Sequence, residues 1–484
     1  MKSLLVILAI CLTGLNVNAQ NTRKWDLKSI VDYAMVNNLS VKISEIQAKI
    51  AQVNYRQSKL SQYPGATISG NGSLNSGNTQ DPTTYSLVTE NTLSAQFQFQ
   101  TSADIFNFYS KRNTILANNW ELQAAKANVD KLKNDIALAL ANAYLQILLS
   151  KEQENIAAVQ IQQTAAQLSN TQKLVEAGSL PPLNQTQLEA QLATDSVNYI
   201  TARGAVVQNI LNLKAYMNFD PATPFEIESP SIESIPLDPI ADLQPENVYQ
   251  LALKNQPLQR YNELKLKAAE KSTAAAKGAM YPTLSAFGGL NSSYLSFKKK
   301  PYYFPVLSGY EGVGLYVDPG TGPLAEVQKP VYTNGDLAGY YRSVNFTKQL
   351  SDNFSKSVGL SINIPLFNGY SLRSNYERSK LNVSTLQYQK KLDDQTLKQN
   401  IFQAYNSVLI ALEKFNASKK SVDANQQTYD YAKKRFDVGM LNTFDLITTQ
   451  NNLLRSKLEY SINRFDYVFK MKVLEFYKGM GIKL

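Results

Sequence analysis

IFNFYSKRNT at residues 105–114 and LFNGYSLRSN at residues 366–375 open one stretch of chain that occurs twice. Laying Ile105, Phe106 and Asn107 on Leu366, Phe367 and Asn368 sets an offset of 261 residues. Carried forward without a gap, it pairs Ala143 and Tyr144 with Ala404 and Tyr405, Gly178 with Gly439, Tyr199 with Tyr460, and Tyr216 with Tyr477. A second offset, of 218 residues, lays Asn37, Glu45, Tyr63, Pro64 and Gly70 on Asn255, Glu263, Tyr281, Pro282 and Gly288. The chain is a tandem duplication, and the repeated unit rather than the length of 484 residues governs its organisation.

Downstream of the first quoted stretch, residues 107–176 contain no Gly or Pro. A continuous helix there would be on the order of 100 Å long at 1.5 Å per residue. Ile136, Leu140, Ala143 and Ile147, with their partners Leu397, Ile401, Ala404 and Val408, have the spacing of a coiled-coil seam. Gly178 and Gly439 are expected to end these helices as left-handed caps. Pro181, Pro182 and Asn184 in one copy, and Asn442, Thr443 and Asp445 in the other, start return helices that reach Tyr216 and Tyr477.

Upstream, residues from Asp26 to about Ser61 read as one long helix, bent near Asn37 and Asn38 and stopped by Tyr63 and Pro64. From Ala66 the period becomes 2, a loop follows from about Ser76 to Thr84, and a second alternating run begins at Leu93. Leu93, Ala95, Phe97, Phe99, Ala103 and Ile105 form an apolar face; Ser94, Gln96, Gln98, Gln100, Ser102 and Asp104 form a polar one. Alternation alone fits a soluble sandwich or a membrane barrel. Short strand pairs set between very long helices favour the barrel. The second copy keeps the parity, with Leu284, Ala286, Gly288 and Leu290 on one strand and Val358, Leu360, Ile362 and Ile364 on the other. Between them it carries 43 extra residues, a Tyr-, Gly- and Pro-rich insert over about Ser296 to Asn353 that includes Lys298 to Phe304. The insert reads as a long loop at one end of the barrel, or as an aromatic-rich surface loop packed on itself.

The organisation is therefore a signal peptide over residues 1–19, a first repeat over 20–219 with its β-hairpin at about 63–105, a linker over 220–245, and a second repeat over 246–484 with its β-hairpin at about 281–367. The linker holds six prolines and reads as extended chain rather than core. The single cysteine, Cys11, lies inside the signal segment behind the bulky Ile10, so the mature chain is read as cysteine-free. Nothing else approaches the about 18 consecutive apolar residues of a membrane helix. A net charge of +10 is interleaved along the helices rather than gathered into a stripe, so no nucleic-acid partner is expected. There is no histidine, and no paired carboxylates, activated nucleophile, metal cluster or phosphate loop stands out. The chain reads as no enzyme, with no catalytic residue, cofactor or metal. Four membrane-type strands cannot close a barrel alone, because open edges are not tolerated in a bilayer; two copies would give eight strands and three would give twelve.

The duplication, the Ile364 to Gly369 run that leaves the fourth strand, and the Gly439 to Asp445 turn resemble the TolC family of outer-membrane efflux proteins. The resemblance implies a mainly α fold with a β-barrel part. A homotrimer would complete a 12-stranded transmembrane barrel in outer-membrane lipid and continue as a helical tunnel across the periplasm. It implies a passive exit duct of a tripartite efflux or secretion system, partnered by a periplasmic adaptor and an inner-membrane pump. A structural or adhesive envelope protein with a coiled-coil stalk is the alternative. By the resemblance, Gly178, Ser179, Gly439 and Met440 are adaptor-contacting tips; simple helix capping is the other reading of the glycines. Asp445 falls on an aspartate ring at the channel entrance, or is only an acid in a first helical turn. Asn184, Phe436 and Leu441 stand where the family carries polar or charged gate residues, so closure here is expected to rest on helix packing and Asp445.

Overall fold

The computed structural model describes residues 24–80, 87–230, 232, 235–296, 304–335 and 345–479. The signal segment with Cys11 and the part of the insert at 298–303 lie outside the described residues. The chain forms two compact units, and each draws on both copies. One comprises Asn113–Ala274 with the chain up to Gln57 and from Asn375 onward; the other comprises Ser58–Arg112 and Ala275–Ser374.

Nine α-helices are described: α1 (Leu27–Asn37), α2 (Leu39–Leu60), α3 (Ser110–Glu176), α4 (Pro182–Met217), α5 (Pro245–Asn255), α6 (Pro257–Gly278), α7 (Phe346–Asp352), α8 (Ser371–Asp437) and α9 (Thr443–Tyr477). The expected long helices are α3 and α8, each of 67 residues. Their seam is core: Leu140, Ile147, Ile401 and Val408 are fully buried, and Ile136, Ala143 and Ala404 pack beside them.

The expected single helix over 26–61 is two. Asn38 has ψ 125° and separates α1 from α2. Its amide explains the break, since Oδ1 caps α2 by accepting from Ser40 N–H (2.8 Å) and Val41 N–H, while Nδ2 donates to the Tyr216 carbonyl at 2.7 Å. The second copy breaks at the matching Gln256, whose Nε2 donates to the Phe476 and Tyr477 carbonyls at 3.0 and 3.2 Å. Both offsets meet in the Asn38–Tyr216 and Gln256–Tyr477 bonds, because each repeat's entering helix is tied to the end of its own return helix.

The proline-rich linker is packed, contrary to its expected exclusion from the core. Ile227, Ile232 and Ile235 are buried in the cluster of Leu140, Tyr144, Leu213 and Met217, and Leu243 is buried with Ile401 and Met471. Trp25 exchanges backbone bonds with Glu226 and Glu228, both at 2.9 Å. Two buried lysines hold this segment. Lys214 Nζ donates to the Pro221 and Thr223 carbonyls, and Lys472 Nζ to the Pro236 carbonyl. Prolines keep the segment extended, while its spaced isoleucines and leucines fill helix grooves.

In the other unit, β1 (Gly65–Gln80), β2 (Leu87–Phe106), β3 (Thr283–Ser296) and β6 (Ser355–Asn363) form an antiparallel sheet in the order β1-β2-β3-β6. β1 runs on through Ser76–Gln80, all of it within the expected loop, and the remaining loop residues 81–84 lie outside the described residues. Cross-strand partners share a face: Ile68, Phe99, Leu290 and Lys356 form one row, and Ala66, Thr101, Gly288 and Val358 the next. The opposite face carries Ser69, Gln98, Asn291 and Ser355. The parity expected from both copies thus builds one two-faced sheet. A bulge between Asp104 and Phe106 puts Phe106, level with Leu284 and Ile362, on the apolar face. The insert is not merely a loop: it contains a separate hairpin of β4 (Phe304–Val317) and β5 (Ala325–Gly335), followed by α7.

Tyr144, 2 % exposed, donates its hydroxyl to the Glu228 carbonyl at 2.7 Å. Burial, reinforced by the charges of Glu228 and Asp26, pushes its pKa from 10.0 up to about 12. The unfolded chain then loses this proton first, so the contribution to stability is present below pH 10 and is lost as pH rises towards about 12. Thermal unfolding of the detergent-solubilised protein is expected to lose about 2–3 kcal/mol from this group over that window. Tyr144→Phe, about 1 kcal/mol less stable at neutral pH, is expected to flatten the decline measured across the same pH series.

Candidate functional site

The candidate site is the pair of helical turns α3–α4 and α8–α9. Gly178 has φ +73° and Gly439 has φ +76°, the left-handed region that costs an L side chain about 1–2 kcal/mol. No atom would obstruct a Cβ at either position, so backbone conformation alone calls for glycine. Gly178 N–H bonds the Val175 carbonyl (2.9 Å) and Ser179 N–H the Leu174 carbonyl (2.8 Å). Gly439 N–H bonds the Phe436 carbonyl (2.9 Å) and Met440 N–H the Arg435 carbonyl (2.8 Å). Both ends are therefore Schellman motifs, and the expected caps are present.

The return helices begin differently. Pro181 precedes α4 with no side-chain cap, and Pro182 opens it. Asn184, half-buried on the first turn, bonds through its backbone N–H to the Pro181 carbonyl at 3.1 Å. In the second copy Asn442 Oδ1 accepts from Asp445 N–H, and Asn442 Nδ2 donates to Asp445 Oδ2, both at 2.8 Å. Asp445 is exposed, and its charge stands at the positive end of α9. Phe436 and Leu441 do not stand free at this turn; they pack on Tyr429, Ala432, Leu446 and Leu453. Around them Val438, Met440 and Phe444 are each about two-thirds exposed, as is Leu183 beside the first turn.

Further along these helices is a polar cluster that the sequence reading missed. Asp195, 1 % exposed, accepts from Thr164 Oγ1 (2.7 Å) and Gln191 Nε2 (2.8 Å). Gln450 Nε2 donates to Thr164 Oγ1 at 3.0 Å, and the amides of Gln191 and Asn451 exchange two bonds of 3.2 Å. Together these residues tie α3, α4 and α9. No lysine or arginine pairs with Asp195 among the described residues. The usable signal was the duplication itself, because the counterpart of Asp195 is the buried Ser456. A carboxylate that appears in one copy at a buried position needs donors from its neighbours.

Comparison with known proteins agrees with this architecture. The family model described as outer membrane efflux protein matches residues 30–218 and 248–468, leaving out the linker between the repeats. The antibiotic efflux pump outer membrane protein ArpC of Pseudomonas putida is 21% identical over 474 residues, covering 94% of this chain and 82% of that protein. A solved structure of CusC has a TM-score of 0.73 at 15% identity, covering 96% of this chain and 93% of that one. The outer membrane protein VceC of Vibrio cholerae has a TM-score of 0.69 at 14% identity, covering 94% and 97%. The structural likenesses extend over both repeats and are likenesses of fold.

The two turns are expected to respond differently to mutation. Gly178→Ala and Gly439→Ala should each weaken their turn by about 1 kcal/mol, but Asn442→Ala should cost about 1 kcal/mol while Asn184→Ala costs little. Hydrogen exchange of the turn amides measures this, with about fivefold faster opening for each 1 kcal/mol lost. Equal effects of the two asparagine substitutions would contradict the assigned caps.

Proposed function

This chain belongs to the outer membrane efflux protein family, and on that premise we propose that it is the outer-membrane channel of a tripartite efflux or secretion system. The observation that carries the reading is the two-faced sheet, whose outer strands β1 and β6 each keep one edge without a strand among the described residues. In hydrocarbon such edges need partners. Three copies supply twelve strands and close a barrel, with the apolar face to lipid and the Gln, Ser and Asn face to a wet lumen. The homotrimer spans the outer membrane, and α3 and α4 with α8 and α9 form the wall of a periplasmic passage. The duct is passive, with no catalytic step.

The turns at Gly178–Ser179 and Gly439–Met440 are the adaptor-contacting tips, and the adaptor connects them to an inner-membrane pump. Exposed Val438, Met440, Phe444 and Leu183 suit a partner with an apolar tip. Asp445, exposed at the start of α9, would place three carboxylates round the trimer axis as a cation-attracting constriction. Asn184 leaves the matching first-copy position neutral. Phe436 and Leu441 act from behind, holding the turn that carries Asp445.

Extracted from the outer membrane in mild detergent, the protein is expected to run as a trimer that heat dissociates; an obligate monomer would overturn the barrel. In planar bilayers the trimer should conduct with cation preference. Asp445→Ala is expected to reduce both that preference and block by divalent cations, and unchanged values of both would remove Asp445 from the entrance.

A further inference from the structure

The helix α7 has no counterpart in the first copy and lies where β3 would otherwise be open. β6 begins at Ser355, opposite Asn291, so β3 beyond Asn291 has no strand on that side among the described residues. α7 and the residue after it take the place of a strand: Leu295 N–H donates to Gln349 Oε1 at 3.1 Å, and Asn353 Nδ2 donates to the Ser293 carbonyl at 2.7 Å. Ser292 Oγ donates to the Leu350 carbonyl at 2.6 Å. The Phe346 ring meets those of Tyr294 and Phe97 edge-on, with centroids 4.9 and 6.5 Å away. Ser292, Tyr294 and Phe97 all stand on the apolar face, so α7 is folded onto that face.

Its height on the sheet is set by the register. From the row of Phe106, Leu284 and Ile362 to the row of Phe99, Leu290 and Lys356 is about 20 Å of strand. Phe97 and Tyr294 stand two and four residues higher. With barrel strands tilted by about 35–45°, this is the upper border of an apolar band about 25 Å tall. The residues there change character accordingly. Phe346 and Phe354 keep nearly half their surface exposed, and Lys356 Nζ lies 5.4 Å from the Phe354 ring. Lys348 is exposed, and helical spacing turns it away from Phe346 and Leu350. Neither lysine is in an ion pair among the described residues, and α7 carries one acid, Asp352.

We infer that α7 is a collar at the outer-leaflet boundary. Its Phe346 side closes the β3 edge against hydrocarbon, and Lys348 and Lys356 reach up to engage the negatively charged headgroup of an anionic phospholipid. The inference rests on the reading of the apolar sheet face as lipid-facing. Lysine stems can lie along apolar surface while their ammonium groups reach the headgroups, and each basic residue near an anionic surface contributes about a fivefold preference.

The mature chain, read as cysteine-free, allows single labels. Thr347→Cys on α7 and Leu360→Cys lower on the same face would each carry a fluorophore in the full-length trimer, reconstituted in phosphatidylcholine vesicles with brominated lipids. Leu360→Cys should be quenched best by bromines deep in the acyl chains, and Thr347→Cys best by bromines close to the headgroup. At equal fraction, brominated phosphatidylglycerol should quench the Thr347→Cys label more than brominated phosphatidylcholine. That preference should fall about fivefold with Lys348→Gln and again with Lys356→Gln. Absence of quenching at Leu360→Cys would overturn the barrel reading itself. Quenching there but not at Thr347→Cys would overturn the collar alone, and quenching at both without preference for phosphatidylglycerol would overturn the contact with an anionic headgroup.

Discussion

Backbone N–H and C=O groups cannot go unpartnered in hydrocarbon, where each would cost several kcal/mol. For a chain with four strands in one sheet, that cost makes a lone copy untenable in a bilayer, and it links features that otherwise look unrelated. β1 and β6 each keep one edge without a strand among the described residues, and in hydrocarbon such edges would need neighbouring copies. The upper edge of β3, where β6 is too short to follow, is covered by side-chain amides of Gln349 and Asn353. Parity is preserved for a side-chain reason: a one-residue slip would turn Phe97 and Phe99 to the polar face and Gln96 and Gln98 to the apolar one.

Duplication solved the helical part with one device used twice. Asn38 and Gln256 each interrupt an entering helix and bond the end of a return helix at Tyr216 or Phe476 and Tyr477. The linker is then drawn into the space between the repeats by its own isoleucines and by the buried Lys214 and Lys472. Burying these ammonium groups is tolerable because each has two acceptors at close range, the Pro221 and Thr223 carbonyls for Lys214 and the Pro236 carbonyl and Glu475 carboxylate for Lys472.

At the turns the copies have diverged while the backbone has not. Both glycines keep the same left-handed geometry, whereas the α9 start has an Asn442–Asp445 cap and the α4 start has a proline. The Asp195 cluster is a second divergence, a carboxylate where the other copy has Ser456. An internal duplication therefore serves as its own reference, and its mismatches point to places where function or packing differs between halves.

The amino-acid sequence by itself determined the two repeats, the α3 and α8 seams, the glycine caps and the faces of the strands. These are periodic or local properties, set by side-chain spacing along one element and by the φ that only glycine adopts cheaply. Tertiary structure alone decided the packing of the proline-rich linker, the position of α7 on the apolar face, the separate β4–β5 hairpin and the donors of Asp195. Apart from the β4–β5 hairpin and the Gln191 bond to Asp195, which are local, those depend on groups far apart in the chain, such as Thr164 with Asp195 and with Gln450. Periodicity along a single element cannot specify partners that meet only when several elements have packed.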